Sequence, residues 1–499
     1  MPECQPGSED KRLIIGEGAT LSRLGDCIVL LFLGKVPSDV DSTITIMVSS
    51  HASPLDIIQL NAAGIDIGAD DHWVCVPSER DKQSVRRFGC FTPDLCALAD
   101  WLKQCGIETV AMESTGVYWI PVFQILESRG FEVKLVNAHH LKTVPGRKTD
   151  VCDAQWIQQL HSYGLLAGSF RPNDEICVLR SYMRHRDSLV KTAGTHVLRM
   201  QKALTQMNVQ LHRVISDITG TTGMAIMCAI LEGERDPVTL AALKDPRIKA
   251  SKSQIADALT GDYRAELLFV LKQEFDLYCT HQDLIRRCDE EIEAHLKTFE
   301  TAIDPQISPP PKPKRKGQKK PGNALSFNVH LQLYRISAID FTQIPGLGEL
   351  SILTLFSEVG LDPSRFPSAK HFCSWLGLSP GNRITGGKRK SSKTRPVVNR
   401  AAETFRMAAQ TLIRSQSALG AFYRRMRSRL GAPKAITAAA HKLARIFYHL
   451  WVHGEQYVEP GIDAYEQQYR ERTLKQLQRK AEALGCKIIP QVAIAEGVS

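Results

Sequence analysis

The sequence predicts an α/β domain over residues 61–175, followed by an all-α remainder with a coiled-coil middle (176–304) and a mainly helical domain (327–460). Three observations predict it. Between Asn61 and about Pro172, short β-rich runs alternate with runs of helical periodicity, the pattern of a sheet covered by helices. From Ile176 to about Thr301, apolar residues recur at three- and four-residue steps between long charged side chains. Pro305 to Gly322 then holds six prolines and six Lys or Arg, a composition that stays extended and separates the helical parts.

Residues 1–60 read as an N-terminal extension with few motifs, and Met47, shortly before the first convincing strand, is a candidate start. Ala63–Gly68 and His72–Pro77 read as the strands of a hairpin, with Val85–Phe91 as a third. Thr92 is expected to cap a helix from Pro93 to Gln104, because proline is favoured in the first turn. Glu108–Glu113 and Phe131–Val136 read as strands, and Tyr118–Ser128 as a helix stopped by Gly130. Thr149 is expected to cap a helix from Asp150 to about Tyr163. Leu267, Leu271, Glu274, Leu277, His281, Leu284 and Cys288 form one stripe of a long amphipathic helix. The linker, taken as 305–326, is either a solvated tether or a basic contact for nucleic acid; residues 461–499 form a tail with a charged helix from Ala464 to Gly485.

The 499 residues include 63 Lys or Arg and 53 Asp or Glu, a net charge of +10, with 43% hydrophobic and 23% charged residues. That mix excludes global disorder and collagen-like repeats. The longest apolar run, Cys27–Gly34, is far short of the ~18–20 residues of a membrane span. With Asp26 before it and no small-residue cleavage site after it, no signal peptide is expected. Thirteen cysteines without a C-x-x-C pair argue against a zinc ribbon and suit thiols in a reducing cytosol. The charge is concentrated: Arg383 to Arg445 holds sixteen Lys or Arg against one acid, Glu403. A solvated helix face carries both signs, so this stretch reads as a surface for a phosphate backbone.

Four carboxylates stand out in the α/β block. Asp66 interrupts the apolar run Gly-Ile-Asp-Ile-Gly, where a charge is costly unless paired or bound to metal. Glu113 ends the run Thr-Val-Ala-Met-Glu, and Asp150 and Asp153 lie three apart on one helix face. Each acid alone could be a cap or a solvated residue. Together, acids on two strands and a helix match the ribonuclease H architecture and suit two Mg²⁺ ions, hard cations that clamp a phosphodiester through carboxylate oxygen.

The second informative stretch runs from Leu376 through Gly377-Leu-Ser-Pro380 to the Lys-rich loop ending at Lys393. Gly386 and Gly387 would let the backbone approach a phosphate, which Lys388, Arg389, Lys390, Lys393 and Arg395 would neutralise. Thr385, just before the glycines, could present its hydroxyl to a scissile phosphate; the alternative is a basic loop without chemistry. Ile344-Pro-Gly-Leu-Gly348 suggests a helix-hairpin-helix element in which Gly346 and Gly348 free backbone N–H groups for phosphate, or else a plain helix-joining turn. Tyr423, beside Arg424 and Arg425, is read as a snorkelling surface tyrosine rather than a recombinase nucleophile.

Gly64-Ile-Asp-Ile-Gly68, Met112-Glu-Ser-Thr-Gly-Val-Tyr118 and Val144-Pro-Gly-Arg-Lys-Thr-Asp-Val-Cys-Asp153 resemble the DEDD-type insertion-sequence transposases. These are bridge-RNA-guided recombinases with a RuvC-like N-terminal domain and a separate C-terminal transposase domain. Pro345-Gly-Leu-Gly348, Gly377-Leu-Ser-Pro380 and Pro433-Lys-Ala-Ile436 resemble the latter, so the likeness spans roughly residues 61–485. The resemblance implies that Asp66, Glu113, Asp150 and Asp153 hold Mg²⁺, that Arg147 and Lys148 meet nucleic acid, and that the C-terminal domain supplies a hydroxyl nucleophile. The family's nucleophile is a serine just before glycine in the loop after Gly-Leu-x-Pro, and Thr385 holds that position. Either Thr385 attacks despite its crowding methyl, or Ser391 or Ser392 takes over, or this copy is impaired. DNA ends and target, a structured guide RNA and a homo-oligomer (dimer or tetramer) are the implied partners, in the cytoplasm at the nucleoid. No G-x-x-x-x-G-K loop is present, so no ATP is expected. The rivals are a Holliday-junction-type endonuclease that uses water and a non-catalytic nucleic-acid-binding descendant.

Overall fold

The computed structural model describes residues 19–24, 27–32, 56–114, 116–137, 150–311 and 322–489; for 19–32, Asp150 and Arg383 it describes the backbone alone. The chain divides into two compact units, Met1–Phe170 and Arg171–Ser499. In the first, β1 (Ala19–Leu24) and β2 (Cys27–Phe32) pair antiparallel, inside a stretch whose sequence shows no strand periodicity. The main sheet has the order β5-β4-β3-β6-β7. Its strands are β3 (Ala62–Ile67), β4 (Asp71–Cys75), β5 (Val85–Gly89), β6 (Thr109–Glu113) and β7 (Glu132–Val136). β3, β4 and β5 are antiparallel neighbours, whereas β3, β6 and β7 run parallel.

The period of two sorts the strand residues onto two faces. Ile65, Val110, Met112 and Leu135 pack with Leu98 and Leu102 of α1 (Thr92–Gln104) and Val122 and Leu126 of α2 (Trp119–Ser128). The expected Thr92 cap is not made: Phe91 is the N-cap and no side chain bonds there, since Thr92 already lies inside the helix. The opposite face gathers Ala111 and Val136 against Ile157 of α3 (Asp150–Ser162). The Thr149 cap, Arg147 and Lys148 lie outside the described residues.

In the second unit, α4 (Asp174–Gln206, 33 residues) and α9 (Ala265–Thr298, 34 residues) pair antiparallel, since His295 meets Glu175 O at one end and His196 meets Glu274 at the other. Asn173 caps α4, accepting from Ile176 N. The α4 seam runs through Ile176, Leu179, Met183, Arg186, Ala193, His196, Met200 and Ala203, close to a heptad rhythm. The α9 stripe follows the sequence expectation in part: Leu271 and Cys288 are buried, but Leu277 and Leu284 are exposed, and the seam also takes in Phe275, Ile285, Asp289, Ile292 and Leu296. Short helices α5 (Leu211–Val214), α6 (Thr221–Glu232), α7 (Pro237–Ala242) and α8 (Lys252–Leu259) bury Ile226, Ile230, Leu240 and Leu259 between the far ends of this pair.

The rest of this unit is α10 (Val329–Ser337), α11 (Glu349–Val359), α12 (Ala369–Trp375), the β8–β9 hairpin (Arg383–Thr385, Lys388–Ser391), α13 (Arg400–Thr411), α14 (Ala418–Leu430), α15 (Ala432–His453) and α16 (Gly461–Ala483). Phe341, Phe356, Phe372, Phe405 and Phe447 fill its centre as an edge-to-face and tilted aromatic cluster. Glu358, near the end of α11, is held bidentately by Arg184 of α4 at 2.9 and 2.8 Å, while Arg180 donates to Ser357 O and Glu358 O. That contact satisfies helix-end carbonyls with the cations they favour.

Candidate active site

Asp66 and Glu113 each stand one residue beyond the last paired residues of β3 and β6, Ile65 and Met112. The strands are parallel, so both acids sit at carboxyl ends of adjacent strands and both share the α3 face with Gly64 and Ala111. Both are partly buried.

What brings α3 there is a row of small residues. A Cβ on Gly64 would lie 2.2 Å from Gln158 N and 2.6 Å from Ala154 O, so the helix rests on the bare Cα of β3. Gln158 Nε2 donates to Ala62 O at 3.4 Å, and Ile58 N donates to Ser162 O at 2.9 Å. Later residues of α3 therefore meet earlier residues of the strand. The helix runs antiparallel to β3, and its first turns, carrying Asp150 and the partly buried Asp153, start at the Asp66–Glu113 end. Among the described residues no three acidic, His or Cys side chains close on a common point, Asp66, Glu113 and Asp153 included; the Asp150 side chain lies outside the described residues.

A buried histidine lies at the other end of the same layer. His161 of α3 is 0% exposed and its Nε2 lies 2.9 Å from Thr109 Oγ1. Because the Thr109 hydroxyl donates to Glu132 O at 3.1 Å, it accepts from His161, which fixes the Nε2–H tautomer. Burial, with Lys134 nearby, pushes the imidazole down to about 4. Neither this histidine nor the role of Gly64 emerged from the sequence reading, although the Ala62-x-Gly64-x-Asp66 alternation carries the signal for the glycine.

The second unit places Thr385 and Lys388 opposite each other, joined by Gly386 (φ +55°) and Gly387 (φ +71°). Two successive positive φ angles make a type I′ turn, so the paired glycines close a hairpin, a use that precedes any approach to phosphate. Thr385, Lys388, Arg389 and Lys390 are all exposed there, as are Ser392 and Lys393. Ser391 Oγ accepts from Lys393 N at 3.2 Å. Arg395 is committed to the fold: its guanidinium donates to Ser374 O at 2.7 Å.

The helix-hairpin-helix reading divides in the same way. Gly346 (φ +93°) lies where a Cβ would come within 2.8 Å of Ala408 O, so its lack of a side chain serves packing against α13, whereas Gly348 is the exposed N-cap residue of α11. Tyr423 is 3% exposed, a core residue of α14 rather than the surface tyrosine expected.

The molecule thus joins, in one chain, an α/β unit with acids at neighbouring strand ends and a helical unit carrying a cationic hairpin. Comparison with known proteins finds a likeness in each of the two units. Residues 63–209 match a DEDD-type transposase model of the IS110 group, and residues 340–424 match the transposase IS116/IS110/IS902 family. Residues 63–209 and 340–424 are thus similar to IS110-type DEDD transposases. It is also 32% identical over 127 residues to a protein of Sinorhizobium fredii (strain NBRC 101917 / NGR234) named "Putative transposase y4pF/y4sB". That match covers 23% of this chain and 31% of the relative. No helix among the described residues is long and apolar enough to cross a membrane.

Proposed function

We propose that this protein is a DNA transposase that cuts and exchanges strands through a covalent protein–DNA intermediate. The observation that carries the reading is the pairing of Asp66 and Glu113 on adjacent parallel strand ends, on the face where α3 begins with Asp150 and Asp153. Oxygen-only donors of this kind suit Mg²⁺, and the four carboxylates are the residues that would hold it. The chemistry that Mg²⁺ supplies when bound is polarisation of the phosphate and neutralisation of the departing oxygen.

The chain's own residues do the rest. Lys388, Arg389, Lys390 and Lys393 hold the backbone near the hairpin, and the exposed Thr385 Oγ1 attacks phosphorus. A Thr–O–P bond forms as the strand's P–O bond breaks, and the proton leaving Thr385 ends on the departing oxygen. Attack by the hydroxyl of the exchanged strand reverses these steps and frees Thr385. Element-end and target DNA, a structured guide RNA, a homo-oligomer and a place at the nucleoid complete the reading, on the strength of the family likeness.

The test is to trap the protein on a suicide DNA substrate and map the attached residue. Thr385 is the expected site; Thr385→Val should lose the adduct with DNA affinity intact, and Thr385→Ser should retain it. DNA found on Ser391 or Ser392 would reassign the nucleophile. Cleavage without an adduct would favour the endonuclease that uses water.

A further inference from the structure

The loop that leaves β6 just after Glu113 exposes an unusual surface. Val117 is 66% exposed, Tyr118 47% and Ile120 38%, all within a few residues of that acid. Next door the chain partly buries an aromatic: Trp119 packs edge-on against Phe123 with ring centroids 5.8 Å apart. Leaving three large apolar side chains in water forgoes burial worth about 1.5–3 kcal/mol each, which marks the patch as a contact surface. Its geometry is held. Gly116 turns the chain at φ +55°, and the Tyr118 ring lies over it, 3.4 Å from where a Cβ would be. From Gly116 to Pro121 no side chain carries a charge, so the patch offers a phosphate no neutralising cation. It offers apolar bulk and one π face, the complement of a nucleobase.

We propose that Val117, Tyr118 and Ile120 form a platform on which an unstacked base of the DNA strand rests, next to the phosphate presented to Asp66 and Glu113. This rests on reading those carboxylates as the phosphodiester site. Tyr118 is a positioning residue in this scheme: stacking one base splays the strand and fixes the adjacent phosphate against the strand ends.

The experiment uses the full chain and a single-stranded oligo-dT carrying 2-aminopurine, titrated in Mg²⁺ across a salt series. Wild type should quench the 2-aminopurine. Tyr118→Ala should weaken binding roughly 5- to 100-fold, the loss of one stacked base, and abolish the quenching. The slope of log Kd against log salt should stay unchanged, because Tyr118 neutralises no phosphate. Tyr118→Phe and Tyr118→Trp should behave as wild type, and Tyr118→Leu, which keeps bulk without a π face, should behave as Tyr118→Ala. Should Tyr118→Ala not fold, the Phe–Leu pair decides alone. Wild-type affinity in Tyr118→Ala, equal binding by the Phe and Leu variants, or a shifted salt slope would overturn the platform. Asp66→Ala separates the two readings: it should bind and quench but not cleave, and if it cleaves, the phosphodiester assignment fails whatever Tyr118 does.

Discussion

Gly64 shows how one missing side chain can set a site. Its backbone is ordinary strand, so the demand on it is purely spatial: Gln158 N occupies the volume of a Cβ. Gly64→Ala must therefore push α3 away from β3, at about 1–3 kcal/mol, the usual cost of overpacking. Because α3 carries Asp150 and Asp153, strand cleavage should fall further than the loss in Tm explains; a variant with wild-type Tm and cleavage would refute the close approach. His161 supplies a second residue-scale expectation. Its folded pKa of about 4 lies below the ordinary 6.5, so the unfolded chain takes up the proton first as the pH falls. Stability should drain between pH 6.5 and 4, by about 2 kcal/mol at pH 5 from this group. Denaturant titrations should show a steeper loss between pH 7 and 5 in wild type than in His161→Gln.

At the scale of the element, the β8–β9 hairpin presents cations beside a tight two-glycine turn. Among the described residues Lys388, Arg389 and Lys390 form no ion pair, which leaves their charge for a partner. Replacing all three with Ala should weaken binding to unrelated DNA sequences alike and shrink the salt slope by about 0.9 for each phosphate no longer neutralised. An unchanged slope would place the hairpin off the backbone. The α4–α9 pair shows where periodicity misleads. Leu277 and Leu284 look like seam residues but stay in water, while Asp289 and His196 are buried because Arg186 and Glu274 meet them across the seam. A stripe read from apolar residues alone cannot find positions whose burial depends on a partner in another helix.

At the scale of the whole molecule, the second unit is tied together by buried ion pairs that link distant segments. Arg186 of α4 bonds Asp289 of α9 at 2.5 Å, both nearly fully buried, and the pair also holds the last residues of the 305–326 segment: Arg186 donates to Asn323 O and Asp289 accepts from Ser326 N. Breaking the pair from one side strands a buried charge. Asp289→Ala should cost about 3–5 kcal/mol, whereas Arg186→Met with Asp289→Leu should recover most of that. Thermal unfolding of the three proteins decides it, and a double variant no better than the single would mean that the pair is needed for more than charge balance.

The strands and helices from Ala62 to Ser162 were legible from the sequence because each is a local matter: a period of two or of three to four, bounded by glycine, proline and polar residues. The candidate acids were legible for a related reason, since a carboxylate inside or at the end of an apolar strand announces its cost. The uses of Gly64, Gly346, Gly386 and Arg395 were not. Each depends on what approaches from elsewhere in the chain or on the sign of a backbone angle: a helix at 2.2 Å, a carbonyl at 2.8 Å, a left-handed turn, a helix end in need of a donor. Residue chemistry determined which carboxylates, hydroxyls and cations this protein carries. Only the tertiary structure decided which of them are spent on packing and which remain exposed, because close approach between segments far apart in sequence is a property of the folded chain.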